Sequence, residues 1–164
     1  MNFDMTKVAN VILYMLHKKV KNLNDKKLLI MLFLMDYNHS KHCGKKIFGD
    51  EYIKYNRNPE GKILSEIFDI IANEEDLDEE DERLYLIQEL LDYLDIEVRA
   101  NEKFIELNFI KMEEEFDESL FNKDELITIQ KVINEHQNSS VRNIANETFK
   151  IDDVRKTANG EVIF

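Results

Sequence analysis

Eight consecutive residues, Leu28 to Met35, are apolar without interruption, and the run ends directly on a carboxylate, Asp36. Wound into a helix, such a run is greasy on every side and is satisfied only in a protein interior with other elements packed around it. It is far too short to cross a bilayer, which takes about 20 apolar residues. The segment therefore predicts the buried central helix of a helical protein, running from near Asn24 to about His42 and stopped by Gly44. Asp36 falls one position past the run, where the helix is still inside. Burying an unpaired charge is costly, so Asp36 is expected to contact a lysine, an arginine or backbone N–H groups in the connection that follows.

The rest of the chain supplies the elements to pack around that helix. With one proline and four glycines in 164 residues, and many Leu, Ile, Lys and Glu, the composition favours helices. A first helix is expected from Asp4 to about Val20, with Val8, Val11, Ile12, Met15 and Leu16 on one side, Asp4 or Thr6 as cap, and Lys18, Lys19 and Lys21 at the end where cations suit the helix dipole. Lys45 to Arg57 reads as an ordered connection anchored by Ile47, Phe48, Tyr52, Ile53 and Tyr55. Asn58 and Pro59 read as the cap and first-turn proline of a third helix through Ile63, Leu64, Ile67, Phe68, Ile70 and Ile71. Residues 73–82 are dominated by carboxylates and predict a solvated loop or helix start, the alternative being a mimic of nucleic acid or a dock for a basic partner. A fourth helix carries Leu84, Ile87, Leu91 and Leu94. Alternation of Ile96 and Val98, then Phe104, Ile105, Leu107 and Phe109, around Asn101-Glu102 predicts a β-hairpin over about 95–110.

Past the acidic link at Glu113, Glu114 and Glu115, Asn122 with Glu125 three residues on forms a capping box for a fifth helix bearing Leu126, Ile129, Val132 and Ile133. Ser139 or Ser140 caps a short sixth helix with Val141, Ile144 and Ala145. From Ile151 follow a turn of helix, Gly160 and a short strand at Val162-Ile163-Phe164, an apolar end expected to be docked. The expected fold is mainly α: a single-domain helical bundle over 1–164 around the buried central helix, with one small β-hairpin.

Charge narrows the function. Twenty-two Lys and Arg against 34 Asp and Glu leave a net charge of −12, which argues against a dedicated nucleic-acid binder and against anionic membrane surfaces. One cysteine, Cys43, cannot make an internal disulfide, and the N-terminus shows no basic region followed by an apolar run, so a soluble cytoplasmic protein is expected. His39, His42 and Cys43 have a spacing that a helix permits for metal ligands, but His17 and His136 are distant and no second cluster completes a site, so no metal is expected. Cys43 has no arguable base or oxyanion site, and no G-x-S-x-G, Walker loop, dinucleotide fingerprint or H-E-x-x-H occurs. Neither catalytic nor cofactor-binding residues are expected. The aromatic stretches Phe48 to Tyr55 and Phe104 to Phe109 are candidates for core packing or for partner anchors.

Several segments resemble the Panacea-domain, SocA-like antitoxin family. Lys7-Val8-Ala9-Asn10-Val11-Ile12-Leu13-Tyr14 is similar to its opening helix. Asp25-Lys26-Lys27-Leu28-Leu29, continuing to Leu34-Met35-Asp36, resembles its signature helix, and Ile47-Phe48-Gly49-Asp50-Glu51-Tyr52-Ile53-Lys54 the segment after it. Of the family's Tyr-Gly-Pro-Val-like element, Tyr55 and Pro59 survive within Tyr55 to Gly61. Phe121 to Leu126, Ser140 to Ala145 and the tail at Gly160 to Ile163 extend the resemblance, although Phe149 and Val154 stand where a His and a Trp are often found. The acidic segment 73–82 and the hairpin form the variable middle. The resemblance implies an antitoxin that neutralises a cognate protein toxin by direct contact, with a protease as a further partner where the antitoxin acts as a proteolytic adaptor, and it implies no catalysis. The alternative expectation is a phage-associated or transcriptional regulator that contacts DNA through its C-terminal helices, using Lys123, Lys131, Arg142, Lys150, Arg155 and Lys156 as one basic face.

Overall fold

Helix α1, Met5–His17, opens where Asp4 accepts a hydrogen bond from the Lys7 amide at 3.0 Å. The computed structural model of the chain describes residues 3–164, so the first two positions of the expected span 1–164 lie outside the described residues. Helix α2, Asp25–Cys43, is capped by the Asn24 side chain on the Lys27 amide at 2.9 Å and ended by Gly44, whose φ of 73° is the left-handed conformation a helix stop requires. Every residue from Leu28 to Met35 is at most 6% exposed. Around α2 pack helices α3 (Lys62–Ala72), α5 (Lys123–His136) and α6 (Val141–Thr148), together with one strand from each of two hairpins. Helix α4, Glu82–Leu91, lies against α1 and α3 and is capped by Asp81. The acidic segment before it is an exposed loop, as its charge requires.

Among the described residues the fold is mainly α, with seven α-helices and two two-stranded antiparallel sheets. The hairpin expected near 95–110 is present as β3, Leu94–Ala100, and β4, Ile105–Lys111. Its turn has no glycine; the Asn101 side chain accepts from the Lys103 and Phe104 amides at 2.8 and 2.9 Å and closes the loop instead. Strand β4 sits beside the start of α2, bridging Asn24 through Asn108, and Asp25 accepts from the Leu107 amide at 3.1 Å.

The second hairpin corrects the sequence reading. Asn58 and Pro59 do not start a helix: β1, Tyr52–Tyr55, turns through Asn56 and Arg57 into β2, Asn58–Gly61, and α3 begins only at Lys62. Asn56 and Arg57 both have positive φ, 45° and 76°, as a tight hairpin turn that follows the twist of its strands requires. Proline is tolerated in β2 because its partner Lys54 spends both backbone groups elsewhere: the Lys54 amide donates to the Glu161 carbonyl and its carbonyl accepts from Gly160. The C-terminal residues thus run along β1, with a bridge from Ile53 to Val162, and the Ile163 amide donates to the Tyr52 carbonyl at 2.7 Å. The expected docked end is present, and its short helix is α7, Asp152–Lys156.

Helix α3 has no side-chain cap of its own. Asp50 provides it from the preceding connection, accepting from the Ile63 and Leu64 amides at 3.0 and 3.1 Å. The approach leaves no room at Gly61, where a Cβ would fall inside contact distance of the Asp50 carboxylate although the backbone φ of −65° is ordinary. Gly61→Ala is therefore expected to push the cap off its donors and lower stability by about 1–3 kcal/mol. A urea titration of the variant checks this, and an unchanged midpoint would show that the carboxylate can step aside at no cost.

Candidate partner-binding surface

The polar side chains of the interior are engaged in holding the fold. Asp36 is fully buried; one carboxylate oxygen accepts from the Ile47 and Phe48 amides, and the other from the Tyr52 hydroxyl at 2.6 Å. This is the contact to backbone N–H groups of the following connection that the sequence implied. The Tyr52 ring stacks on Phe164 with centroids 5.4 Å apart, and the Lys46 ammonium lies 4.3 Å from the Phe164 centroid while donating to the Asp50 carbonyl. Lys27, also fully buried, donates to the carbonyls of Lys21 and Ser139 at 2.6 and 2.7 Å and so ties the α1–α2 and α5–α6 connections to α2. Burial pulls its ammonium down to about 8, still charged at neutral pH.

Burial also raises the Asp25, Asp36 and Asp50 carboxyls above their ordinary value, against the N–H and O–H donors that favour the charged form. An unfolded aspartate loses its proton near 3.8, whereas these three hold theirs to higher pH when folded. Stability contributed by the retained protons is present at the acid end and is lost as pH rises through the folded values. The exposed Asp81 and Asp153 shift the other way, drawn by Arg83 and Tyr37, but solvent screening keeps such surface pairs weak. Relief of a net charge of −12 acts in the same direction as the buried groups. Burial acts the opposite way on His136, lowering its ring from the ordinary 6.5, and on Lys27, so both favour the higher pH. With the histidine removed in His136→Gln, the melting temperature is expected to be higher at pH 5 than at pH 7.5; calorimetric scans of that variant with a maximum at the higher value would contradict the acid-side contribution of the buried carboxyls.

The residues with metal-ligand spacing separate. His39 is 3% exposed with Nδ1 3.5 Å from the Thr128 hydroxyl, whereas His42 and Cys43 point to solvent at the helix end. His17 is exposed and His136 half-buried. Among the described residues no group of three or more His, Cys, Asp or Glu side chains could hold a metal ion. No helix among them is long and apolar enough to cross a membrane. Lys123, Lys131, Arg142, Lys150, Arg155 and Lys156 are all exposed, with Lys150 paired to Glu147 and Arg155 to Asp152.

Apolar side chains left in solvent are the candidates for contact with another protein. Each aromatic stretch splits between core and surface. Phe48 and Tyr52 are 1% exposed but Tyr55, at the tip of the first hairpin, is 38% exposed. Leu107 and Phe109 are buried, while Phe104 is 57% and Ile105 39% exposed at the tip of the second. On the other side of that hairpin Ile110 and Met112 are also exposed, and Ile127 stands out on α5. Sequence alternation located the strands but could not divide anchors from core, because that depends on what covers each face.

No curated protein and no solved structure matches the chain. The family model described as antitoxin SocA-like, Panacea domain, matches residues 13–151, from the middle of α1 to the start of the C-terminal turn of helix. That span contains the α2 run with its terminal Asp36, the Asp50 cap and both hairpins, and the chain belongs to the SocA-like, Panacea-domain antitoxin family.

Proposed function

We propose that this protein is the antitoxin of a toxin–antitoxin pair and that it neutralises a cognate protein toxin by binding it directly in the cytoplasm. The observation that carries this reading is membership of the SocA-like, Panacea-domain family over 139 of 164 residues, 13–151. The site geometry supports it: the buried polar groups hold loops and helix ends in place, and the exposed anchors sit on hairpin tips braced by that frame. The whole span 1–164 acts as one domain built around α2. Neutralisation requires no catalysis, only an interface of about 1,200–2,000 Å². A protease is the further partner if the bound toxin is handed on for degradation.

Co-expression with the product of the adjacent reading frame tests this. Growth should be restored and the two proteins should co-purify; absence of both would remove the reading. The toxin's cellular half-life separates the two routes, since blocking leaves it unchanged or longer and delivery to a protease shortens it.

A further inference from the structure

Two surface grooves meet at one residue. The first, about 230 Å³, lies between the tip of the β3–β4 hairpin and the ends of α2 and α6, with Phe104, Ile105 and Val141 forming its apolar wall and Asp25 and Glu106 its polar edge. The second, about 400 Å³, lies between the β1–β2 hairpin and α3, bounded by Tyr55 at one end and by Glu60, Glu66 and Asp69 along its length. Lys26, in the first turn of α2, lines both. The two grooves therefore share an edge at the N-terminus of the family's signature helix, with an exposed aromatic ring in each.

We propose that this double groove is the docking surface for the toxin, and that the toxin segment it takes is basic, carrying one large apolar side chain for the first groove, against Phe104, Ile105 and Val141, and lysine or arginine for the second, where Tyr55 stands among carboxylates. The proposal rests on the antitoxin reading and adds to it the face used and the chemistry of the partner. Charge complementarity selects the occupant. Four carboxylates at least partly exposed, Glu60, Glu66, Asp69 and Glu106, line the grooves against two lysines, Lys26 and Lys62, so a neutral or acidic segment would meet repulsion or uncompensated desolvation. Glu66 is also held by Arg83 at 2.7 Å, but Asp69 has no ion-pair partner within 4.0 Å among the described residues. Aromatic side chains at the rim of a concave site are the usual energetic anchors of a protein interface, with the surrounding polar groups setting orientation and partner choice. Phe104 is the most exposed of the groove aromatics, and a buried toxin side chain would cover it.

The test uses the full chain with the product of the adjacent reading frame as probe. Phe104→Ser and Tyr55→Ser change exposed side chains and should leave the thermal melt near that of the wild type, while each weakens the complex by roughly 30-fold or more and abolishes growth rescue. Ile127→Ser, at a comparably exposed position on α5 that lines neither groove, should bind and rescue like the wild type. Asp69→Lys should slow association several-fold at low salt and flatten its salt dependence. Wild-type rescue retained by the Phe104 and Tyr55 variants together would place the interface elsewhere and overturn the proposal with the antitoxin role intact. Association unchanged or faster in the Asp69 variant would overturn the basic partner. Failure of the wild type itself to bind or rescue would remove the antitoxin reading.

Discussion

Replacing Leu32 by Asp is expected to leave the protein without a cooperative thermal transition at 25 °C and above. Leu32 is 2% exposed, in the middle of α2, and its carbonyl lies 3.4 Å from the Tyr52 hydroxyl. Its side chain faces an interior shared with Val8, Leu29, Phe48 and Leu64, around a void of only about 10 Å³, room for one water at most, which the Asp50 carboxylate also lines. The substitution removes a leucine's apolar burial, leaves a cavity, and places a charge or a protonated acid where no donor waits. The first two effects together cost about 2–5 kcal/mol, and the third adds several more, against a total stability of about 5–15 kcal/mol for a domain of this size. Leu32→Ala carries only the first two and should fold with a lowered melting temperature. Circular dichroism melts of both variants make the comparison. A normal transition in the aspartate variant would mean that this face of α2 reaches water, and the packing described around it would be wrong.

What could be read from the sequence is what is settled within a few residues of itself. The capping box of Asn122 and Glu125 is a three-residue spacing visible in the sequence, whereas the sequence leaves Asp4 beside Thr6 and Ser140 beside Ser139 as alternatives that only the backbone geometry decides, as it does the cap at Asn24. The burial of Leu28 to Met35 follows from a run that offers no polar face. The β3–β4 hairpin shows itself by alternation. The β1–β2 hairpin does not: its strands are four residues each, its turn is Asn56-Arg57 without glycine, and β1 is completed by Gly160 to Phe164, a hundred residues away. Without those partners, Asn58-Pro59 has the chemistry of a helix start, and the local reading was the wrong one. Asp50 as the cap of α3 escapes for the same reason, since it lies 13 residues before the amide it serves. Lys27 had a usable signal, a lysine immediately before an all-apolar run, but its acceptors at Lys21 and Ser139 come from two separate connections. The two grooves need α2, α3, α6 and both hairpins in place, and nothing in a linear pattern brings Tyr55 and Phe104 into grooves that share Lys26.

Asp36→Ala is expected to destabilise the protein by about 3–5 kcal/mol, because it strands two amide donors and weakens the bonding of a hydroxyl in a buried interior. The Ile47 and Phe48 amides lose their shared acceptor, and the Tyr52 hydroxyl keeps only the long contact to the Leu32 carbonyl at 3.4 Å. Tyr52→Phe removes only the hydroxyl and leaves the carboxylate with two amide donors, so it should cost about 1–2 kcal/mol. The double variant separates a mere sum from a network. With Asp36 absent the Tyr52 hydroxyl is a liability, so adding Tyr52→Phe to Asp36→Ala should cost nothing further or restore part of the loss. The effect should also travel. Tyr52 stacks on Phe164 and its backbone carries the Ile163 and Phe164 hydrogen bonds, so releasing the ring loosens the C-terminal residues from β1. Amide exchange at Ile163 and Phe164 is expected to accelerate in Asp36→Ala more than exchange in α5, which packs on α2 away from this network. Equal acceleration everywhere would mean that the carboxylate supports global stability alone, and strictly additive stability losses would mean that the buried aspartate and the tyrosine above it do not act as a unit.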